Sequence, residues 1–237
     1  MIEAIAVCMK KLMDVDNIMT AALNLLSVLF DGRTWNGEGS IPEEDESNYF
    51  SLLKRKSCEC NMLSVLLLII EKRCVYPDHR SILIDAFTLS SKIILDNVSV
   101  PAVIATNMDP TKEFIVVNAI DHQLSMKERG PDAYGIVAYG CVLLEWFVRL
   151  YPCLRRNSTC KIIHRLLVDV YSLFVPQPYY FVNAIPVLDQ LLKNEMNYVH
   201  FQHRSFFIYK FVKEHNSNSN NKLHYKDLES TLLTLSK

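Results

Sequence analysis

Apolar residues recur every three or four positions along most of this 237-residue chain, which is the spacing of amphipathic helices. In residues 17–30, for example, Ile18, Ala22, Leu25 and Leu29 fall on one side of a helix. The pattern predicts helices over 2–13, 17–30, 48–74, 79–96, 111–128, 132–150, 158–174, 180–193, 196–213 and 224–236. The most strand-like run, 114–117, lies within a helical window. We therefore predict an all-α protein.

Breaks in the pattern predict the domain organisation. Residues 31–47 combine glycines and a proline with the acidic run 43–46, and we expect an acidic loop there. The helix predicted over 48–74 contains a possible break near Ser57. A low-complexity polar stretch at 214–223 predicts a flexible linker. The organisation expected is a helical-repeat domain over 1–213, this linker, and a C-terminal amphipathic helix over 224–237.

The segment 132–150 is apolar on nearly every side. A helix of this kind is covered all round by protein, so we predict that it lies at the centre of the fold. Glu145 is its exceptional residue. We expect a carboxylate at the helix edge, paired with Arg149 one turn later, rather than a buried acid.

The predicted helices can be grouped in pairs that begin near residues 48, 111, 158 and 196, at intervals of 63, 47 and 38 residues. This arrangement resembles armadillo and HEAT repeat proteins, whose repeats span roughly 40–47 residues. The resemblance implies an α-solenoid, a stack of helical hairpins with an extended groove for a peptide or helix of another protein. It lies in helix lengths and pairing, and no functional residue is carried over from it. The alternative is a single globular helical bundle around 132–150.

Composition and charge restrict the class of protein. Half of the residues are apolar, 22% are charged and the formal net charge is -1, so we expect no general attraction to nucleic acid. The N-terminus lacks the basic region of a signal peptide, and the apolar run 62–70 is shorter than the ~20 residues that cross a bilayer. The seven cysteines are odd in number and lie mostly in apolar windows, which favours reduced thiols. We predict an intracellular protein, cytoplasmic or nuclear and not secreted, without a membrane span.

Two groups of residues were considered as metal sites. Cys58, Cys60 and Cys74 lack the second close pair of ligands that structural zinc sites use. His200 and His203 are spaced one helical turn apart, but a phenylalanine stands where zinc hydrolases of the H-E-x-x-H type carry glutamate. The sequence also lacks a nucleophile elbow and a phosphate-binding loop. We therefore expect no catalytic residue, no metal and no cofactor, and hence no enzyme.

A cluster of basic residues is the strongest candidate binding site. Lys161 and Arg165 share one helical face, and the remaining members lie just before it. The cluster comprises Arg149, Arg155, Arg156, Lys161 and Arg165. Such a cluster suits an acidic peptide or phosphates, and we predict that it binds an acidic peptide or helix of a protein partner. The alternative is a solvated helix entrance without a binding role.

Three functions are consistent with these observations. The first is a non-enzymatic protein–protein interaction scaffold. The second is a structural subunit or terminal segment of a larger helical-repeat complex, because the first helix is moderately apolar. The third is a helical enzyme or small-ligand-binding protein built around the tyrosines and cysteines of 132–150.

Overall fold

The computed structural model describes residues 1–31, 43–94, 109–126, 131–151, 156–170, 182–218 and 225–236. These residues form α-helices joined by turns and short 3₁₀ or π segments, and none of them is in a β-strand. The all-α prediction is confirmed, including the helical assignment of 114–117. The α-helices are α1 Ile2–Lys11, α2 Asp16–Phe30, α3 Glu43–Glu59, α4 Met62–Arg73, α5 Arg80–Ile94, α6 Glu113–Ser125, α7 Pro131–Leu150, α8 Asn157–Arg165, α9 Ala184–Leu191, α10 Ser205–Asn218 and α11 Lys226–Leu235.

The helix predicted over 48–74 is two helices, and the break lies at Asn61 rather than near Ser57. Asn61 has a φ of 57°, in the left-handed region that interrupts a helix and that asparagine tolerates better than most residues. Ser57 stays inside α3, where its hydroxyl donates to the Leu53 carbonyl at 2.9 Å. A polar side chain satisfied in this way does not end a helix.

The acidic loop predicted over 31–47 is partly helical. α3 begins at Glu43, so the acidic residues 43–46 lie in its first turn. Residues 32–42 of the predicted loop lie outside the described residues.

The single helix predicted over 196–213 is also divided. Glu195–His200 forms a 3₁₀ segment, a turn follows, and α10 begins at Ser205. The Asn194 side chain accepts from a backbone N–H two residues later at 3.1 Å, and the buried Asn197 amide donates to a backbone carbonyl at 2.9 Å. Hydrogen bonds of this type compete with an α-helix. Arg204, with φ of 71°, completes the turn.

Two further boundaries differ from the prediction. α10 continues to Asn218, so residues 214–218 of the predicted linker are helical. The remaining linker residues, 219–223, lie outside the described residues. α8 changes to a π segment, Leu166–Val170, before the predicted helix end at 174. Local periodicity predicts the type of element in each case but not its last turn.

The chain divides into two compact units, Met1–Tyr139 and Gly140–Lys237. The division falls within α7, and the helical-repeat domain predicted over 1–213 stays a prediction. The prediction that α7 is covered on nearly every side is confirmed, since only Pro131, Asp132 and Arg149 of its residues are exposed.

α7 is also the one described helix that is long and apolar enough to cross a membrane, by length and composition alone. The prediction of no membrane span rested on the shorter run 62–70. In the structure, 61% of the most apolar window of α7 is buried inside the protein. Such burial is what a core helix of a folded domain shows.

In the first unit, α4 lies at the centre. It packs against α1, α3, α5 and α6, while α2 packs against α1 and α5. The ends of α1 and α4 coincide. The Arg73 guanidinium, at the end of α4, donates to the Met13 carbonyl just after α1 at 2.7 Å. At the other end, the Glu3 carboxylate acts electrostatically on Cys60, which raises the pKa of that thiol in addition to burial. The two helices therefore run parallel.

α2 and α5 of this unit are parallel as well. The Asp16 Oδ2 and His79 Nε2 atoms, at the starts of α2 and α5, lie 3.3 Å apart, and Asp31 and Lys92 form an ion pair at the two C-terminal ends. The first part of α7 follows α5 in the same direction, because Gly135 meets Ile84 and the Tyr139 carbonyl accepts from Ser91, 3.5 Å away. Thus α1 and α4 share one direction, and so do α2, α5 and the first part of α7.

The second unit has its own packing. α8 contacts α9 and the 3₁₀ segment Glu195–His200, and α10 contacts α11 and the π segment. Its core contains fully buried apolar side chains from several of these elements, including Leu144, Phe147, Ile163, Leu188 and Ile208. This packing sets the position of the exposed faces of α8 and α10.

Candidate partner-binding surface

The five basic residues predicted to form one cluster have different environments. Arg149 is exposed and forms an ion pair with Glu145 at 2.5 Å, which confirms the predicted i, i+4 pair. Arg155 lies outside the described residues. The sequence pattern suggested that Arg156 lies at the surface. In the structure it is buried, with 6% of the residue exposed. Lys161 is exposed and Arg165 is half-buried, both on α8.

Arg156 is occupied in holding the end of α7. Its Nη2 atom donates to the carbonyls of Phe147 and Tyr151, both at 3.0 Å. The last carbonyls of a helix have no partner within the helix, so a buried guanidinium satisfies them. Burial also lowers the pKa of Arg156 to about 10. The sequence pattern placed this residue in the cluster because a run of arginines does not reveal which one turns inward.

The unburied stripe of α8 contains Asn157, Lys161, His164 and Arg165. These positions follow the i, i+4 and i, i+3 spacing of one helical face, and the opposite face is buried through residues such as Ile163. The sequence prediction that Lys161 and Arg165 share a face is therefore correct.

The tertiary fold brings a second basic segment to this stripe. The His164 Nε2 atom lies 3.2 Å from the His203 carbonyl, and the His200 Nε2 atom lies 3.0 Å from the Asn157 Oδ1 atom. The turn that ends at the exposed Arg204 is thereby joined to α8. We call the combined set, Lys161, His164, Arg165, His200, His203 and Arg204, the basic surface.

Carboxylates are few in the two segments that form this surface. Residues 156–168 and residues 196–213 contain no aspartate or glutamate, although Asp169 and Glu195 border these ranges in the chain. Neither Lys161 nor Arg204 forms an ion pair with any described residue. In a chain of net charge -1, such a concentration of cations produces a local positive potential. The sequence shows that residues 196–213 lack acidic side chains, but it does not show that this segment lies next to α8.

A second cluster of charges lies around Glu145. Asp189 and Lys193 form an i, i+4 ion pair at 3.4 Å. Burial raises the pKa of Glu145, while Arg149 opposes the shift. Burial also raises the pKa of Tyr225, and the carboxylates of Glu145 and Asp189 both raise it further. Glu145 is thus both paired, as predicted, and largely buried, with a side chain that is 20% exposed.

The cysteines and histidines that the structure describes form no cluster suited to a metal. No group of three or more His, Cys, Asp or Glu side chains that could hold a metal ion occurs among the described residues. His200 and His203 do not share an α-helical face, because one ends a 3₁₀ segment and the other lies in a turn. Burial raises the pKa of the Cys58, Cys60 and Cys74 thiols, which is opposite to the activation of a nucleophile.

Two surface cavities lie among the described residues of the first unit. One, of about 670 Å³, lies between α1 and α3 and includes Ile2, Leu52 and Cys60. The other, of about 530 Å³, lies between the end of α4 and α6 and includes Val75 and Phe114. Each is lined by apolar and charged side chains together, and neither is lined by a residue of the basic surface.

Comparison with protein-family models found no match for this chain. Searches of curated proteins and of solved structures found no significant match either.

Proposed function

We propose that this chain is a non-enzymatic interaction scaffold of helical-repeat type that binds an acidic segment of a partner protein on the basic surface. The observation that carries the proposal is the joining of two carboxylate-free segments through the His164–His203 and His200–Asn157 contacts. A surface of this sign attracts acidic segments and speeds their association.

The helical-repeat part of the proposal rests on the first unit. We assign α1 and α2, α4 and α5, and α6 with the first part of α7 to three successive helix pairs. Helices at equivalent positions in a solenoid run in one direction. The Arg73–Met13 contact at the ends of α4 and α1 and the Asp31–Lys92 pair at the ends of α2 and α5 support this assignment. α3 then occupies the position of an additional helix before the second pair, as in three-helix repeats.

Fluorescence anisotropy with a labelled oligoglutamate peptide tests the binding function. We expect binding that weakens with salt, and a loss of about tenfold in affinity in the variant Lys161→Glu/Arg165→Glu, because each exposed ion pair contributes up to about 1 kcal/mol. Lys10→Glu/Lys11→Glu is the matched control, with the same change in charge at two exposed positions of α1. Equal losses in the two variants, or tighter binding of an oligonucleotide of equal charge, would contradict the proposal.

A second candidate function is that of a structural end segment in a larger helical complex. It is favoured by the large exposed apolar side chains at the outer end of the first unit, which include Val7, Leu12 and Val15. A free end of a repeat stack usually has a polar outer face. Sedimentation velocity tests this function: Val7→Lys/Leu12→Lys should abolish concentration-dependent self-association of the isolated chain. A wild-type chain that stays monomeric at all concentrations argues against an uncovered apolar end.

A further inference from the structure

An exposed row of aromatic rings and lysines runs along α10. The rings of Phe206 and Tyr209 are stacked with centroids 6.3 Å apart. The Lys210 Nζ atom lies 4.9 Å from the Phe206 ring centroid, and the Lys213 Nζ atom lies 5.6 Å from that of Tyr209. Spacings of three, four and seven residues place these four side chains on one face of the helix, which we call the aromatic–lysine face.

The aromatic–lysine face is separate from the core of its unit. Phe206 is 53% exposed, whereas Ile208 and Val212 on the same helix are fully buried. Met196 and Val199, shortly before α10, are 58% and 60% exposed. An exposed pair of stacked rings marks an interaction site more often than an isolated apolar side chain does.

The aromatic–lysine face adjoins the basic surface. α10 begins at the residue after Arg204, and it packs on the π segment that continues α8. A partner bound at Lys161 and Arg204 therefore has an apolar surface next to it, where cations already lie over the rings.

From these contacts we infer that the partner segment is an acidic amphipathic helix whose apolar side chains pack on the aromatic–lysine face while its carboxylates face the basic surface. This inference rests on the proposed function. A purely acidic extended peptide would leave Phe206 in water. Helices rise about 1.5 Å per residue, so Phe206 and Lys213 lie about 10 Å apart along the axis, which two turns of a partner helix match.

Nucleic acid is a different occupant of such a face, because bases also stack on exposed aromatic rings. The comparison with an oligonucleotide of equal charge separates it from a peptide. An anionic bilayer is a different occupant of such a surface, and the experiment separates it from a helix.

Two labelled peptides of about 16 residues, roughly four helical turns, provide the test. Both carry the same number of glutamates, and one has leucines at i, i+3 and i+4 positions where the other has serines. With the full chain at about 0.1 M salt, we expect the leucine peptide to bind about tenfold more tightly, because it buries apolar surface. Phe206→Ser should remove this preference, whereas Lys161→Glu/Arg165→Glu should weaken both peptides alike.

The matched control is Leu233→Ser, which removes an exposed leucine from α11 of the same unit and should leave the preference unchanged. Because Phe206 is more than half exposed, its serine variant should keep the thermal unfolding midpoint of the wild type. Equal affinity for the two peptides, or a preference that survives Phe206→Ser, overturns this inference but leaves the proposed function intact. Failure of both peptides to bind overturns both proposals, and so does Phe206-dependent binding to phosphatidylserine vesicles without peptide binding.

Discussion

Arg73 connects α4 with the turn between α1 and α2 and with the start of α5, and its removal is the most direct test of this packing. Its side chain is 9% exposed at the end of α4. The guanidinium donates to the Met13 carbonyl at 2.7 Å, pairs with the Asp16 carboxylate at 2.7 Å and lies 3.2 Å from the His79 ring. One side chain therefore ties together the turn between α1 and α2, the end of α4 and the start of α5.

The expected cost of Arg73→Ala follows from these partners. A hydrogen bond to a charged group contributes about 1.5–3 kcal/mol, and loss of the guanidinium leaves the Met13 carbonyl without that donor. The Asp16 side chain is 49% exposed, so water replaces part of its interaction and its share is smaller. We expect the free energy of unfolding to fall by about 3 kcal/mol, at the lower end of the range for breaking a buried ion pair.

Urea unfolding, followed by circular dichroism and by tryptophan fluorescence, measures this cost, with the two probes testing for a single transition. Lys72→Ala is the matched control. Lys72 precedes Arg73 and pairs with Asp14 at 3.5 Å, but its side chain is 45% exposed and that of Asp14 85%, so we expect less than about 1 kcal/mol. The reasoning is refuted if the two variants lose the same stability. A double-mutant cycle with Asp16→Ala should also give a coupling energy of about 1–2 kcal/mol.

Three further predictions concern α7. In Gly135→Ala, the new Cβ would lie 2.5 Å from the Ile84 Cδ1 atom, the end of a flexible side chain. The helix-propensity gain of about 1 kcal/mol should therefore be largely cancelled, and it should appear in full only when Ile84→Val makes room. Urea unfolding of the two single variants and the double variant measures this, and a full gain in Gly135→Ala alone would contradict it. Burial raises the pKa of Glu145 above its ordinary value of 4.5, so the folded state holds its proton more tightly than the unfolded state does. The contribution of this proton to the free energy of unfolding is present below pH 4.5 and is lost as pH rises through the folded pKa. The unfolding free energy should therefore decline more between pH 4.5 and neutral pH in the wild type than in Glu145→Gln, and parallel profiles would show the reasoning to be wrong. Burial raises the pKa of Cys141 to about 12, so mass spectrometry after thiol labelling at neutral pH should find it unmodified until the chain unfolds; labelling in the native state as fast as the half-buried Cys8 would argue against this burial.

Much of the secondary structure could be predicted from the sequence, because helical periodicity is a local property. α7 was located by its apolar character on every side, and the Glu145–Arg149 pair followed from i, i+4 spacing. α6 was assigned correctly despite the strand-like run 114–117, because its neighbours kept the helical period. The breaks at Asn61 and after Asn194 were missed, since a positive φ or a side-chain hydrogen bond to the backbone leaves no periodic signal.

For the candidate site, the sequence alone determined that Lys161 and Arg165 share a helical face, because two residues four apart on a helix are neighbours whatever surrounds them. Only the tertiary structure decided that Arg156 turns inward to the last carbonyls of α7 and that His164 meets the turn at His203. These contacts join residues up to 39 positions apart, and they depend on how helices pack rather than on the pattern within any one helix. The sequence therefore determined which residues could act together on one helix, and the packing of the second unit decided which of them form a surface.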